Sequence, residues 1–460
     1  MTRPVSPRDL APDRQANPCF SIIHHDGRET PMRVVRIGAA LAVGALAASL
    51  LGSGQPLVAH SPDTPAGRAS AQEFMAQREP TQRLTAVAAA TCTGGQAAGY
   101  PCRNVDLLSF LPLADIGGSQ ANDIWGWTDS LTGREYALVG RRNGTSFVDV
   151  SNPTAPVYLG NLPAYQNRTA VWRDIKVYRD HAYVVADVSG HGMQVFDLTR
   201  LRGVTAPQTW TADARYGQFG NSHNIAINEE TGFAYAVGTN TCSGGLHMID
   251  IRTPKSPASA GCVSNDGYTH DTQCVVYRGP DTAYTGREIC VSSNEDTVTV
   301  VDVTTKSAPR QLSRIGYTGR AYTHQGWFTG DQRYFLLDDE LDESRRGVNT
   351  QTYLWDLADL DAPRHIGTYS APAGVMATDH NQYVKGRYSY QANYRAGLRI
   401  LDLTEVPNGR ASEAGYFDIY PSSNSSSMNG AWSTYPYFPS GIVVVSGIEQ
   451  GLFVLRPRLP

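Results

Sequence analysis

One short pattern constrains this chain more than any other: an apolar run carrying aspartate that returns at intervals of about fifty residues. The runs are SFVDV, QVFDL, HMIDI, TVVDV, YLWDL and RILDL, with Asp149, Asp197, Asp250, Asp302, Asp356 and Asp402, and FVLRP places Arg456 at a seventh position. A second apolar strand precedes each one: EYALVG, HAYVVAD, FAYAVG, EICVSS, RYFLLD, RYSYQAN and GIVVVSG. A unit this small cannot bury both faces of its sheet until a neighbour stacks on it. The pattern therefore predicts an all-β chain, a single seven-bladed β-propeller of four-stranded antiparallel blades.

Turns such as NPTAPVYLG, KSPASAG, SAPRQLSRIG and DAPRHIG feed a fourth, outer strand in each unit. Gly144, Gly192, Gly245, Gly397 and Gly451 precede the Asp-bearing strands, where a tight turn can need positive φ. The last unit has no room for an outer strand before Pro460, whereas Val105 to Leu113 resembles one. Closure by this N-terminal outer strand is expected, the alternative being a leader strand on the first blade.

Residues 1–31 read as an unstructured leader or a misassigned start, 32–60 as a secretory signal peptide, 61–91 as a flexible linker, and 92–460 as the propeller with a short N-terminal extension. Met32, Arg33 and Arg36 precede an apolar run from Ile37 to Gly52, the layout of an export signal. The run is short for a membrane span, an uncleaved anchor being the alternative, and no span is expected after signal removal. Net charge is −4 with 18% charged residues, which argues against a nucleic-acid partner. Six of the seven cysteines follow the signal. Fifteen pairings are open to six cysteines; the repeat favours Cys92–Cys102, Cys242–Cys262 and Cys274–Cys290, structural bridges suited to a secreted or periplasmic protein.

Aligning the units brings two polar columns into register at the starts of the innermost strands. The first is Asn122, Arg173, His223, His270, His324, His380 and Ser433; the second is Asp123, Asp174, Asn224, Asp271, Gln325, Asn381 and Thr434. In a propeller these positions ring one mouth of the central channel. Three roles are open to them: a structural polar ring bonding strand-start backbone, a ligand or substrate site, or a metal site in which His223, His270, His324 and His380 hold a transition ion, with Arg173, Asp174 and Asp271 beside them. A separate acidic run, Asp338, Asp339, Glu340, Asp342 and Glu343, reads as a solvated charged loop or a calcium site. A divalent metal, calcium or a transition ion, is the cofactor class these residues could hold.

The common hydrolase, zinc-protease, phosphate-loop and dinucleotide motifs do not occur. The segments Asp338–Thr350 and Tyr383–Ala396 read as insertions suited to an extracellular or envelope protein or glycan.

The Asp-bearing runs, the turn from Asn152 to Pro156 and the His-Asp or His-Asn pairs at the blade starts resemble the choice-of-anchor B family, with its LVIVD-type propeller repeats. The resemblance spans roughly Val105 to Pro460. It implies an exported bacterial propeller, envelope-associated or extracellular, with no established chemistry. Arg456 departs from the repeat, and no C-terminal sorting segment is seen. The expected function is a monomeric binding or scaffold module; the alternative is a metal-assisted hydrolase, or another enzyme, using the polar ring, its water oriented by Asp174 or Asp271.

Overall fold

The computed structural model describes Phe74, Ala76, Gln77 and residues 84–460. The expected leader and signal peptide lie outside the described residues, as does most of the 61–91 segment. Among the described residues no helix is long and apolar enough to cross a membrane.

Seven sheets follow one another along the chain. Their innermost strands are Ala121–Thr128, Arg173–Tyr178, Asn224–Asn228, Asp271–Val276, Thr323–Phe328, Asn381–Lys385 and Ala431–Tyr435. Each packs against the next and the seventh against the first, so that they ring a central axis. The protein is a seven-bladed β-propeller. In the seventh sheet Val105–Pro112 lies antiparallel outside Gly451–Pro457, from Val105 opposite Pro457 to Pro112 opposite Gly451.

The sheets are not uniformly four-stranded. Gln208–Thr209 adds to the first sheet, parallel to Val157–Pro163, and Tyr100–Arg103 with Gln96–Ala97 extends the sixth beyond Ser412–Phe417. The reason is local: the outer edge of a blade is an unpaired ladder of N–H and C=O groups, and a chain segment running past can satisfy it. Tyr383–Ala396 is also no insertion. It holds the end of Asn381–Lys385 and all of Tyr388–Ala392, the inner hairpin of blade six.

The recurrent aspartate ends the third strand of the first six blades. Its Oδ1 accepts the amide two residues on: Ser151 from Asp149 at 3.0 Å, Thr199 from Asp197 at 3.1 Å, Arg252 from Asp250 at 3.0 Å, Thr304 from Asp302 at 3.0 Å, Ala358 from Asp356 at 3.0 Å and Thr404 from Asp402 at 2.9 Å. This side-chain turn stops the ladder and reverses the chain. A cation accompanies each one, for example Arg287 at 2.8 Å from Asp302 and Lys255 at 2.8 Å from Asp197. Arg456 faces Asp106 across the seventh sheet, so the carboxylate there comes from the N-terminal strand.

Gly192 has φ 67°, and an added Cβ would stand 2.4 Å from the Tyr216 carbonyl oxygen. Gly245 differs from the expected positive φ, lying at −75°; there the need for glycine is space, since a Cβ would meet the Val263 carbonyl at 2.3 Å.

The core lies between blades. Tyr136, Leu138 and Phe147 of the first pack on Ile175, Val184 and Phe196 of the second, and equivalent layers follow around the ring. Full burial of each large apolar side chain is worth about 1.5–3 kcal/mol. Disulfides join Cys92 to Cys102 in the N-terminal extension, Cys242 to Cys262 in blade three and Cys274 to Cys290 across the inner hairpin of blade four. Each closes a short loop, worth about 3 kcal/mol in a chain-entropy account.

Candidate functional site

The two polar columns separate by role. The second ties blades together. Asp123 accepts the Ile175 amide at 3.3 Å, Asp174 accepts the Ile225 amide at 2.7 Å, Asn224 donates to the His270 carbonyl at 3.0 Å, and Gln325 exchanges bonds with the backbone of Gln382 at 3.0 and 3.1 Å. Thr434 donates to the Val444 carbonyl within its own blade, and Asn381 is buried at its strand start. Asn122, of the first column, donates to the Val171 carbonyl at 2.9 Å.

The histidines behave differently. Successive imidazoles lie tilted against one another around the mouth, with ring centroids 4.4 Å apart for His223 and His270, 4.0 Å for His270 and His324, and 4.7 Å for His324 and His380. Every Nδ1 has an acceptor. His223 meets Asp187 at 3.1 Å, His270 the His324 carbonyl at 3.0 Å, His324 Asp338 at 3.0 Å, and His380 the Trp432 carbonyl. An Nδ1–H donor places the lone pair of a neutral imidazole on Nε2. Nε2 of His324 and of His380 each lie 3.8 Å from an oxygen of Glu340, and His270, His324 and Glu340 offer ligand atoms all within 4.8 Å of one another. Burial first, and the neighbouring imidazoles second, push His270 and His324 well below the ordinary histidine range, so both are neutral.

The acidic run is buried throughout, not a solvated loop. Asp338 and Asp339 end the strand Tyr334–Asp339, and Asp342 and Glu343 open the short helix Asp342–Arg346. Asp338 orients His324 and accepts the Gln325 amide at 2.8 Å. Asp339 accepts from the Tyr317 hydroxyl and the Ala321 amide, both at 2.7 Å. Glu340 reaches the imidazoles and accepts the Tyr394 hydroxyl at 2.9 Å.

Arg173 and Asp174 turn away from this cluster. Arg173 donates to the Arg141 carbonyl at 3.0 Å and meets His191 Nε2 at 3.0 Å, and burial lowers its pKa to about 9. Asp174, Asp123 and Lys176 form a buried charge group: Lys176 Nζ is 2.5 Å from Asp174 and 3.6 Å from Asp123, and lies 4.6 Å over the Trp125 ring. Asp271 joins this group, its pKa raised to about 7 by burial and by Asp174. Beyond it, toward the far ends of the inner strands, opens a cavity of about 420 Å³ walled by Trp125, Trp327, Tyr383, Tyr435 and Tyr437.

Sequence reasoning missed Asp187, the partner of His223. Its signal was the second-strand run HAYVVAD, which closes on aspartate as the RYFLLD run does at Asp338. Phe74 was also missed. It is buried between Trp172 and Trp432, with centroids at 5.3 and 5.9 Å, and these two rings cover His223 and His380.

Residues 132–162 match the model of the LVIVD repeat. The matched stretch holds the three outer strands of blade one, including the Asp149 turn. No curated protein matches the chain. Solved structures that resemble it include Kuenenia stuttgartiensis hydrazine synthase, 12% identical with a TM-score of 0.47, covering 71% of this chain and 93% of that one. A protein from Lactobacillus plantarum is 15% identical with a TM-score of 0.46, covering 71% and 88%. The β-propeller domain of Myceliophteria thermophila Cps50 (Swd1) is 9% identical with a TM-score of 0.49, covering 75% and 99%. No residue role is carried over from any of them.

Proposed function

We propose that this protein is an exported β-propeller binding module whose channel mouth holds a divalent transition ion, with His270, His324, His380 and Glu340 as ligands and His223 completing the row of imidazoles. One observation carries this reading: every Nδ1 in the row is committed to a carbonyl or carboxylate. That is the outer-shell arrangement that orients a metal-binding imidazole and raises its basicity. A purely structural ring would duplicate what the second column already does. Neutral imidazoles with a carboxylate suit zinc, iron, copper or nickel.

The covering rings of Phe74, Trp172 and Trp432 favour a firmly held ion over an open catalytic one, and so a binding or scaffold role over metal-assisted hydrolysis. An extracellular or envelope protein or glycan is the partner class in this reading. Membership of the choice-of-anchor B family, secretion or periplasmic residence, a monomeric state and closure of the ring by Val105–Pro112 complete it. The Arg-flanked apolar run and three disulfides support export.

Metal analysis of natively purified protein tests the centre. One transition ion per chain is expected, and a His270→Ala/His324→Ala variant that stays folded should lose it. Equal absence from both proteins would overturn the proposal.

A further inference from the structure

The cavity at the far end of the channel takes no part in the imidazole row, and its walls are of two kinds. Blades five, six, seven and one follow one another around the axis and line it with aromatic rings. Trp327 meets Tyr383 at 4.9 Å between centroids, Tyr383 meets Trp125 at 5.4 Å, and Trp125 meets Tyr435 at 5.1 Å, each edge to face. Gly126 makes room for this arc, since a Cβ there would stand 2.1 Å from the Tyr435 ring. Blades two, three and four complete the lining with Lys176, Glu229, Asp271 and Gln273.

Several polar groups on these walls lack a partner within the protein. The Tyr383 hydroxyl, on a residue only 3% exposed, makes no hydrogen bond among the described residues, and neither does the Tyr435 hydroxyl. Gln273 is held by its side-chain oxygen, which accepts the Phe328 amide at 2.7 Å, and its NH2 group is left to the cavity. Asp271 accepts the Thr272 amide at 2.6 Å with one oxygen and keeps the other open. Tyr437 differs, its hydroxyl donating to the Val384 carbonyl at 3.1 Å. A buried hydroxyl left unpartnered costs about 1–3 kcal/mol. Water can satisfy such groups but leaves the aromatic faces bare, so a molecule that does both is favoured.

Charge narrows the choice. Lys176 pairs with Asp174 at 2.5 Å and already covers the Trp125 ring at 4.6 Å, so an organic cation would meet a like charge on the aromatic face it needs. Glu229 is exposed at the rim and forms no ion pair among the described residues, so an anion would be repelled on entry. The complementary molecule is neutral, with one apolar face and hydroxyls around its edge. A pyranose ring has that form: its axial C–H groups carry slight positive charge toward an aromatic face, and its hydroxyls both donate and accept. The volume of about 420 Å³ falls within the range of small-ligand sites, about 300–1,000 Å³.

We infer that this cavity binds the pyranose end of a neutral glycan, stacked on the Trp327–Tyr383 wall with its hydroxyls on Asp271, Gln273 and the Tyr383 hydroxyl. The inference rests on the binding-module reading and gives the glycan partner a place, away from the imidazole centre.

The test is titration of full-length protein with glucose, galactose, mannose and N-acetylglucosamine and with cellobiose, lactose, mannobiose and chitobiose, followed by tryptophan fluorescence and calorimetry. Saturable binding of one sugar per chain is expected. Tyr383→Phe removes a hydroxyl that bonds nothing in the protein, so the fold is kept and affinity should fall at least about three-fold. Trp327→Ala should lower it at least about ten-fold. Protein stripped of metal by chelator should bind the sugar equally; sugar binding lost with the metal would place the site at the imidazoles and overturn the inference. No saturable binding of any of these sugars would also overturn it, while leaving the metal test of the binding module untouched. Saturation by tetramethylammonium in their place, the mark of a cation cage, would do the same. Sugar binding unchanged in both variants would keep a glycan-binding module but strike this cavity as its site. Should Trp327→Ala not fold, Tyr383→Phe and the wild-type titration still decide.

Discussion

Replacing Lys176 by Met should destabilise the propeller strongly, because the change removes one charge and little volume. Lys176 is the cation between Asp123 and Asp174, which are 2% and 4% exposed. Burial works against its charge, and the two carboxylates outweigh that cost, so its pKa stands above the ordinary lysine value. At the 2.5 and 3.6 Å separations, the two pairs are worth about 7 and about 5 kcal/mol of gross attraction at an effective dielectric near 20, most of it offset by desolvation. Removing one partner leaves the others buried and uncompensated, for a net cost of about 3–5 kcal/mol. Methionine retains the aliphatic stem beside Trp125, which keeps the packing loss small. Urea unfolding of metal-free protein, followed by tryptophan fluorescence with disulfides intact, should show a lower midpoint at similar slope. Adding Asp174→Asn to Lys176→Met should recover part of the loss, since the amide oxygen can still accept the Ile225 amide. A single variant within about 1 kcal/mol of wild type, or a double variant showing simple additivity, would refute the argument that this is one coupled charge group.

Three further outcomes follow. Asp338→Asn weakens the anchor of His324 and should lower transition-metal affinity by about 10–100-fold in a chelator competition; unchanged affinity would remove Asp338 from the centre. Phe74→Ala takes away the ring between Trp172 and Trp432 and should speed metal extraction by chelator at least about ten-fold, given a packing loss of about 3–5 kcal/mol; an unchanged rate would show that Phe74 does not guard the mouth. Arg202 donates to both oxygens of Asp129 at 2.8 and 2.7 Å and holds its pKa below the usual carboxylate range. A depressed folded-state pKa contributes stability above the unfolded value of about 3.9 and loses it as pH falls. Melting curves of Arg202→Met should therefore lie below wild type near neutral pH and converge with it in acid; a constant gap would contradict the linkage.

Much of the ring was legible because the repeat is physical. Each Asp-bearing run states where a third strand ends, since the same side chain that recurs in sequence makes the same turn in space at Asp149 and at Asp402. The inner-strand columns were legible for the same reason: equal position in a repeat becomes equal position around an axis. Extra strands such as Gln208–Thr209 were not legible, because they depend on which free edge a passing segment meets. Tyr383–Ala396 misled because its tyrosines and asparagine suggest a surface loop, whereas pairing of Asn381–Lys385 with Tyr388–Ala392 makes it a hairpin.

What the sequence determined by itself is the blade count, the strand order and the shared placement of His223, His270, His324 and His380, because these follow from period and pattern alone. What only the tertiary structure decided is the use of those side chains. Neighbouring sequence cannot say that Asp187 would hold His223, that Glu340 would sit between His324 and His380, or that Asp379 would accept the Asp339 amide. These pairings join residues from different strands or blades, and their energies depend on separations of a few ångströms and on burial. Those quantities exist only once the ring has assembled.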